Sequence, residues 1–296
     1  MTSSRGFHET AGMTRVLLCV AVTFPLMAQQ FHIDHVTVAG RDVKAMTEAL
    51  RNATGITAEY GGPHSNHATE MALASFPDGS YLELIAIQPK PDPTALAAHY
   101  WHKFMEADAG PCAWAIRPAD LPAEVDRLRK AGVSVTDPRR AGRKRPDGVE
   151  LDWETAQVGP TNGGFFPFLI HDFTPRERRA FPSDKPTTDK WTGIAKVVIG
   201  VHDLDAAITR YQKAYGLPPS VRQEDAALGA RLAQFPGTPV VLAAPLATGS
   251  WLSERVQQYG EAPCAFILGS KAGKPLDSIA WFDAGKLGWH LGVETE

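Results

Sequence analysis

The sequence predicts an α+β protein of repeated β-α-β-β-β modules grouped into two lobes. Three observations carry that prediction. Residues 33–56 (IDHVTVAGRDVKAMTEALRNATGI) align without a gap to 194–217 (IAKVVIGVHDLDAAITRYQKAYGL), with six identities. Two downstream segments recur in the same order: LASFPDG at 73–79 with LAQFPGT at 232–238, and PCAWAI at 111–116 with PCAFIL at 263–268. A weaker copy of the pattern runs through 111–172.

The elements follow in order. Arg15, the apolar run Val16–Met27 and the small Ala28 have the layout of a secretory leader over residues 1–28, with Met13 as a second candidate start. That reading sends the protein to the periplasm or the medium. Residues 29–173 form the N-terminal lobe. Its first module, 32–88, opens on a β-branched strand, then Asp42 caps a helix with Val43, Met46 and Leu50 on one face, ended by Gly55. The second module starts with a strand over Cys112–Ile116. Asp120 then caps a helix bearing Leu121, Val125 and Leu128, closed by Gly132, and strands are expected near 133–136, 149–158 and 164–171. The Pro-rich, charged stretch 174–190 reads as a linker, with Arg176, Arg178 and Arg179 serving solubility. Residues 191–296 form a degenerate C-terminal lobe. Its first module, 193–247, repeats the pattern with Asp203, Leu204, Ile208, Tyr211 and Gly216, and its last, 262–294, is shortened and lacks the helix.

Composition removes several classes of function. The 296 residues are 44% hydrophobic and 21% charged, which is globular rather than disordered. Lys plus Arg is 30 against 33 Asp plus Glu, a net charge of −3 that does not suit a general nucleic-acid binder. Three cysteines do not make a disulfide scaffold. No apolar run reaches the roughly 18 residues of a membrane span. Cys112 and Cys264 stand at equivalent strand starts in an apolar context and read as structural.

Several motifs together resemble the vicinal oxygen chelate superfamily, and within it the glyoxalase-like domain proteins. They are Ile33-Asp34-His35-Val36, Gly61-Gly62-Pro63-His64, Asp78-Gly79-Ser80-Tyr81-Leu82-Glu83-Leu84-Ile85 and Phe166-Pro167-Phe168-Leu169-Ile170. The resemblance implies paired modules forming curved mixed sheets around a cavity. It also implies a divalent metal (Zn, Mn, Fe or Ni) held by a His or Gln on the first strand and a Glu on the last strand of each module. Carried over, His35 and Glu83 match in the first module. Trp114 and Phe168 fall at the corresponding places in the second, and Lys196 and Val241 in the third, so neither supplies a donor pair. His67, with His35 and Glu83, would complete a set of two histidines and a carboxylate. Without metal, Glu83 and His35 would act as a base or as hydrogen-bond anchors.

Trp114, Phe168, Tyr81 and His171 are the candidate substrate contacts, with barrel filling as the alternative for the aromatic residues. The run Arg139, Arg140, Arg143, Lys144, Arg145 reads either as an anion-binding flap or as a solvated hairpin tip. His99 and His102 fall on an expected surface helix and read as solvated; His290 and Glu294 share a strand face without further donors. The chain is therefore expected to be an exported, metal-assisted lyase, isomerase or dioxygenase acting on a small molecule with adjacent oxygens. The alternative is a metal-free protein that binds or sequesters a small ligand. The expected partner is a small molecule, not nucleic acid, and the oligomeric state is open.

Overall fold

The computed structural model describes Met1 and residues 31–160, 164–270 and 279–294, so the expected leader, Met1 apart, lies outside the described residues. The first module comprises β1 (Ile33–Gly40), α1 (Val43–Thr54), β2 (Glu59–Pro63), β3 (Thr69–Ser75) and β4 (Tyr81–Ile87). Two short helices, α2 (Pro93–Ala97) and α3 (His102–Glu106), lead to the second: β5 (Gly110–Ile116), α4 (Leu121–Lys130), β6 (Arg139–Lys144), β7 (Glu150–Ala156) and β8 (Phe168–Asp172). Helix α5 (Arg176–Ala180) precedes the third: β9 (Gly193–Gly200), α6 (Leu204–Tyr215), β10 (Val221–Asp225), β11 (Ala230–Gln234) and β12 (Val240–Pro245). Then come α7 (Trp251–Tyr259), β13 (Ala262–Gly269), β14 (Ile279–Trp281), α8 (Ala284–Leu287) and β15 (His290–Glu294).

Among the described residues, each lobe is one curved mixed sheet. The first runs β2-β3-β4-β1-β5-β8-β7-β6 and the second β10-β11-β12-β9-β13-β15-β14. The first and last strands of a module pair in parallel, with Thr37 beside Glu83 in one lobe and Val198 beside Val241 in the other. Two modules then join antiparallel, β1 to β5 and β9 to β13. The helix boundaries follow from local chemistry. Asp42, Asp120 and Asp203 each accept the backbone N–H three residues on, satisfying a donor that the first turn leaves open. Gly55 and Gly216 end their helices at φ 75° and 63°, a region that a Cβ disfavours.

Two expectations need correction. Residues 133–136 form no strand; only Val135 makes an isolated bridge, to Val158. The strand lies in the basic run instead, since Arg139–Lys144 pairs with β7 and the turn falls at 146–148. It is an edge strand, and charged edges resist pairing with other chains. In the last module the place of the helix, after β13, falls at 271–278, outside the described residues, and a short helix, α8, stands later, between β14 and β15.

The principal core belongs to both lobes. Val36, Val38, Leu82, Leu84 and Trp114 of the first pack in one cluster with Val197, Ile199, Tyr211 and Phe235 of the second. Buried Arg255 on α7 reaches across the junction to the carbonyls of Ala109 and Pro111. The opposite face of the second sheet is filled by its own side chains: Val198, Leu232, Val241, Ala243 and Ile267 pack with α7 there. The corresponding face of the first sheet holds a cavity.

Candidate functional site

Strand alternation builds this cavity. Successive side chains point to opposite faces, so Tyr81, Glu83 and Ile85 of β4 share one face, as do Met71 and Leu73 of β3. The cavity measures about 230 Å³ and is also lined by His35, His64, His99, Trp101, Arg143, Trp153, Phe166 and Phe168. Its centre is Glu83. Oε2 accepts from the Thr37 hydroxyl at 3.1 Å and lies 3.7 Å from His35 Nε2, while Oε1 lies 3.6 Å from His64 Nε2. Burial pushes the Glu83 carboxyl up, but His64, His35 and Thr37 outweigh it and bring it down to about 2.

His35 is held from behind. A β-bulge in β1 places two residues against one on β5 between Ile33 and His35, which inserts Asp34 as the extra residue. The bulge lets Asp34 Oδ1 reach His35 Nδ1, at 2.5 Å. A carboxylate only accepts, so Nδ1 carries a proton toward Asp34, and the ring is oriented with Nε2 toward Glu83 and the cavity. Tyr81 stacks on the ring at 4.8 Å, and Phe168 meets it edge-on at 5.4 Å.

Asp34 is fully buried and needs counter-charges. Arg179 grips it with two bonds, Nη1 to Oδ1 at 3.0 Å and Nη2 to Oδ2 at 2.9 Å, and Arg176 Nη1 lies 2.6 Å from Oδ2. Burial alone would raise the Asp34 carboxyl; Arg179, Arg176 and His35 hold it well below the usual range. Arg179 also donates to Asp172 and to the Tyr81 hydroxyl. The reading of Arg176 and Arg179 as solubilising charges is therefore corrected: the 174–190 stretch supplies the buried cations of the site. Only Arg178 of the three is left exposed.

The remaining expected residues divide. His67 is exposed in a turn at φ 57°, outside the cavity, because β3 begins only at Thr69. The histidine beside Glu83 is His64, from the other end of that turn. His171 is exposed against Phe173. Trp114 points to the helix side of the sheet, wholly buried and stacked on Phe31, and forms only part of the cavity floor. Trp114 pairs with Val36 and shares its helix-side face, whereas Ala113 pairs with Thr37, the neighbour of Glu83, and turns toward the cavity. His99, read as solvated, lines the cavity between α2 and α3. Its Nδ1 accepts from the Trp101 backbone N–H at 3.3 Å, and burial lowers it to about 4. Cys112 and Cys264 are free and buried, and burial raises both thiols, Cys264 to about 12, so neither is a ready nucleophile.

The four-donor metal set that the resemblance implies is not filled by these residues. Its second pair of donors would come from β5 and β8, whose cavity-lining side chains include Ala113, Phe168 and Ile170. Among the described residues no three His, Cys, Asp or Glu side chains form a set able to hold a metal ion. In the second lobe, Lys196 Nζ bonds the Thr238 carbonyl and Val241 is buried in the apolar packing.

A two-lobed curved sheet with modules in this order defines a vicinal oxygen chelate fold. The chain belongs to the glyoxalase-like domain family, whose match spans residues 33–229. Among solved structures, it is similar to a hypothetical protein from Staphylococcus aureus, at TM-score 0.64 and 13% identity over 90% of this chain and 99% of that one. It is also similar to a mutant of 4-hydroxymandelate synthase from Streptomyces coelicolor, at TM-score 0.52 and 13% identity over 81% and 71%. At such identity the likeness is one of fold. No curated protein matches the chain.

Proposed function

We propose that the chain is an enzyme that moves a proton on a small carbonyl compound held in the first-lobe cavity, with its own side chains as acid and base. The observation that carries this reading is the Asp34–His35–Glu83 line, in which an imidazole fixed at Nδ1 presents Nε2 to the cavity 3.7 Å from a carboxylate. His35 Nε2 takes a proton from the carbon beside the carbonyl, and the C–H electron pair passes into the enolate. Asp34 on one side and Glu83 on the other stabilise the imidazolium. His99 accepts at Nδ1 and so carries its proton on Nε2. Its value near 4 keeps it a neutral donor for the enolate oxygen. Return of the proton to another position is isomerisation; departure of a group from the adjacent carbon is elimination.

The test is deuterium uptake from D2O at the carbon beside the carbonyl, followed by NMR across a panel of small carbonyl compounds. Wild-type protein freed of metal by chelation is expected to catalyse exchange, and His35→Ala to lose it by about 10²–10⁴-fold. One equivalent of Zn, Mn, Fe or Ni, lost in Glu83→Ala and required for turnover, would restore the metal-assisted reading. Ligand binding without exchange would leave a binding or sequestering protein. The leader read at residues 1–28 supports an exported protein; protein recovered outside the cytoplasm is then expected to begin at Gln29.

A further inference from the structure

Arg143 stands apart from the other cations of the cavity. It lies on β6 opposite Leu151, two residues from Ala141, which faces Trp153, and so projects from the same side as Trp153. Its Nη1 donates to the Gly61 carbonyl at 2.7 Å. Among the described residues no carboxylate stands within ion-pair distance of it, whereas Arg179 in the same cavity is matched by Asp34 and Asp172. A guanidinium has five N–H donors; Gly61 receives one of them and the side chain lines the cavity, where the others are available to a ligand. Burial pulls Arg143 below the ordinary arginine range, against the upward pull of Tyr81 and Glu83.

The guanidinium is also held in place. Two residues on, buried Arg145 donates to the carbonyls of Arg178, Phe181 and Pro182, pinning the hairpin to the segment after β8. At the other edge Pro146 lies against Gly62 of β2. Trp101, Trp153, Phe166 and Phe168 supply aromatic lining in the same cavity. Fixed positive charge beside flat apolar walls selects a flat body carrying an anion.

We infer that the cavity takes small carboxylates with an aromatic or otherwise planar body, Arg143 holding the carboxylate and the aromatic walls the rest. This rests on the proposed use of the same cavity but on a different side chain from the proton-transfer line. The experiment is calorimetric titration of the full chain with benzoate, phenylacetate and 3-phenylpropanoate, each against its neutral amide. At least one acid is expected to bind about tenfold or more tightly than its amide. Arg143→Gln should erase that preference and Arg143→Lys retain part of it, with Tm unchanged in both. Equal affinity of acid and amide, a preference that survives Arg143→Gln, or no binding of any acid overturns the inference. A carboxylate preference without deuterium exchange keeps the anion site and removes the proton-transfer reading. Exchange on neutral carbonyl compounds, with no acid preference, does the reverse.

Discussion

Asp34 and His35 are sequence neighbours whose side chains meet, Oδ1 to Nδ1 at 2.5 Å, inside a strand whose alternation would turn them to opposite faces. The bulge at Asp34 resolves the conflict. One inserted residue thus gives the cavity an imidazole of fixed tautomer and gives the protein a buried carboxylate that must be neutralised.

The tautomer is directly measurable. Asp34→Asn keeps the shape but removes the charge that fixes the proton on Nδ1. His35 is expected to shift toward the Nε2–H form by nitrogen NMR, and exchange to fall by about 10²–10⁴-fold with probe affinity little changed. An unaltered tautomer would separate Asp34 from the chemistry.

Neutralisation makes a stability prediction. Arg179→Gln leaves Asp34 and Asp172 short of a cation in a dry site, a change that ordinarily costs about 3–5 kcal/mol. Urea unfolding measures it, and a loss below about 1 kcal/mol would show that Arg176 alone satisfies Asp34.

Acid sensitivity follows from His99. Its folded value is about 4, against about 6.5 for a free imidazole. Between those values the unfolded chain binds a proton that the folded chain does not. The stability present above pH 6.5 is therefore lost as pH falls toward 4. His99→Gln should melt with a shallower dependence over that window, and identical profiles would place His99 in water.

Trp114 and Phe168 should part company. Trp114→Ala hollows the shared core and is expected to cost about 3–5 kcal/mol in denaturant unfolding. Phe168→Ala removes a ring beside His35 and should weaken phenylacetate binding more than it weakens the fold. The reverse ranking would contradict the assignment of faces.

The modules were legible because strand and helix periods, Asp caps and the two helix-ending glycines all act locally. His35 and Glu83 were legible for the same reason, on adjacent strands with a regular register. The bulge was not, and it sets which face of β1 His35 takes, so that Trp114, paired with Val36, lies on the face away from His35. His64 and His99 come from turns, where no period marks a side-chain direction. Arg143 sat in a run rich in turn-like residues, although the turn itself falls beyond Lys144. Arg179 lies 145 residues from Asp34, and no local pattern connects them.

The α5 stretch ties the halves of the molecule into one unit of inheritance. A gene cut at residue 173 would still encode every strand of the first sheet, yet it would lose both Arg176 and Arg179, leaving Asp34 without its two nearest cations. The tie continues past α5, since the Thr187 amide bonds the Ser75 carbonyl, so length variation among descendants of this chain should avoid the whole stretch from Arg176 to Thr187.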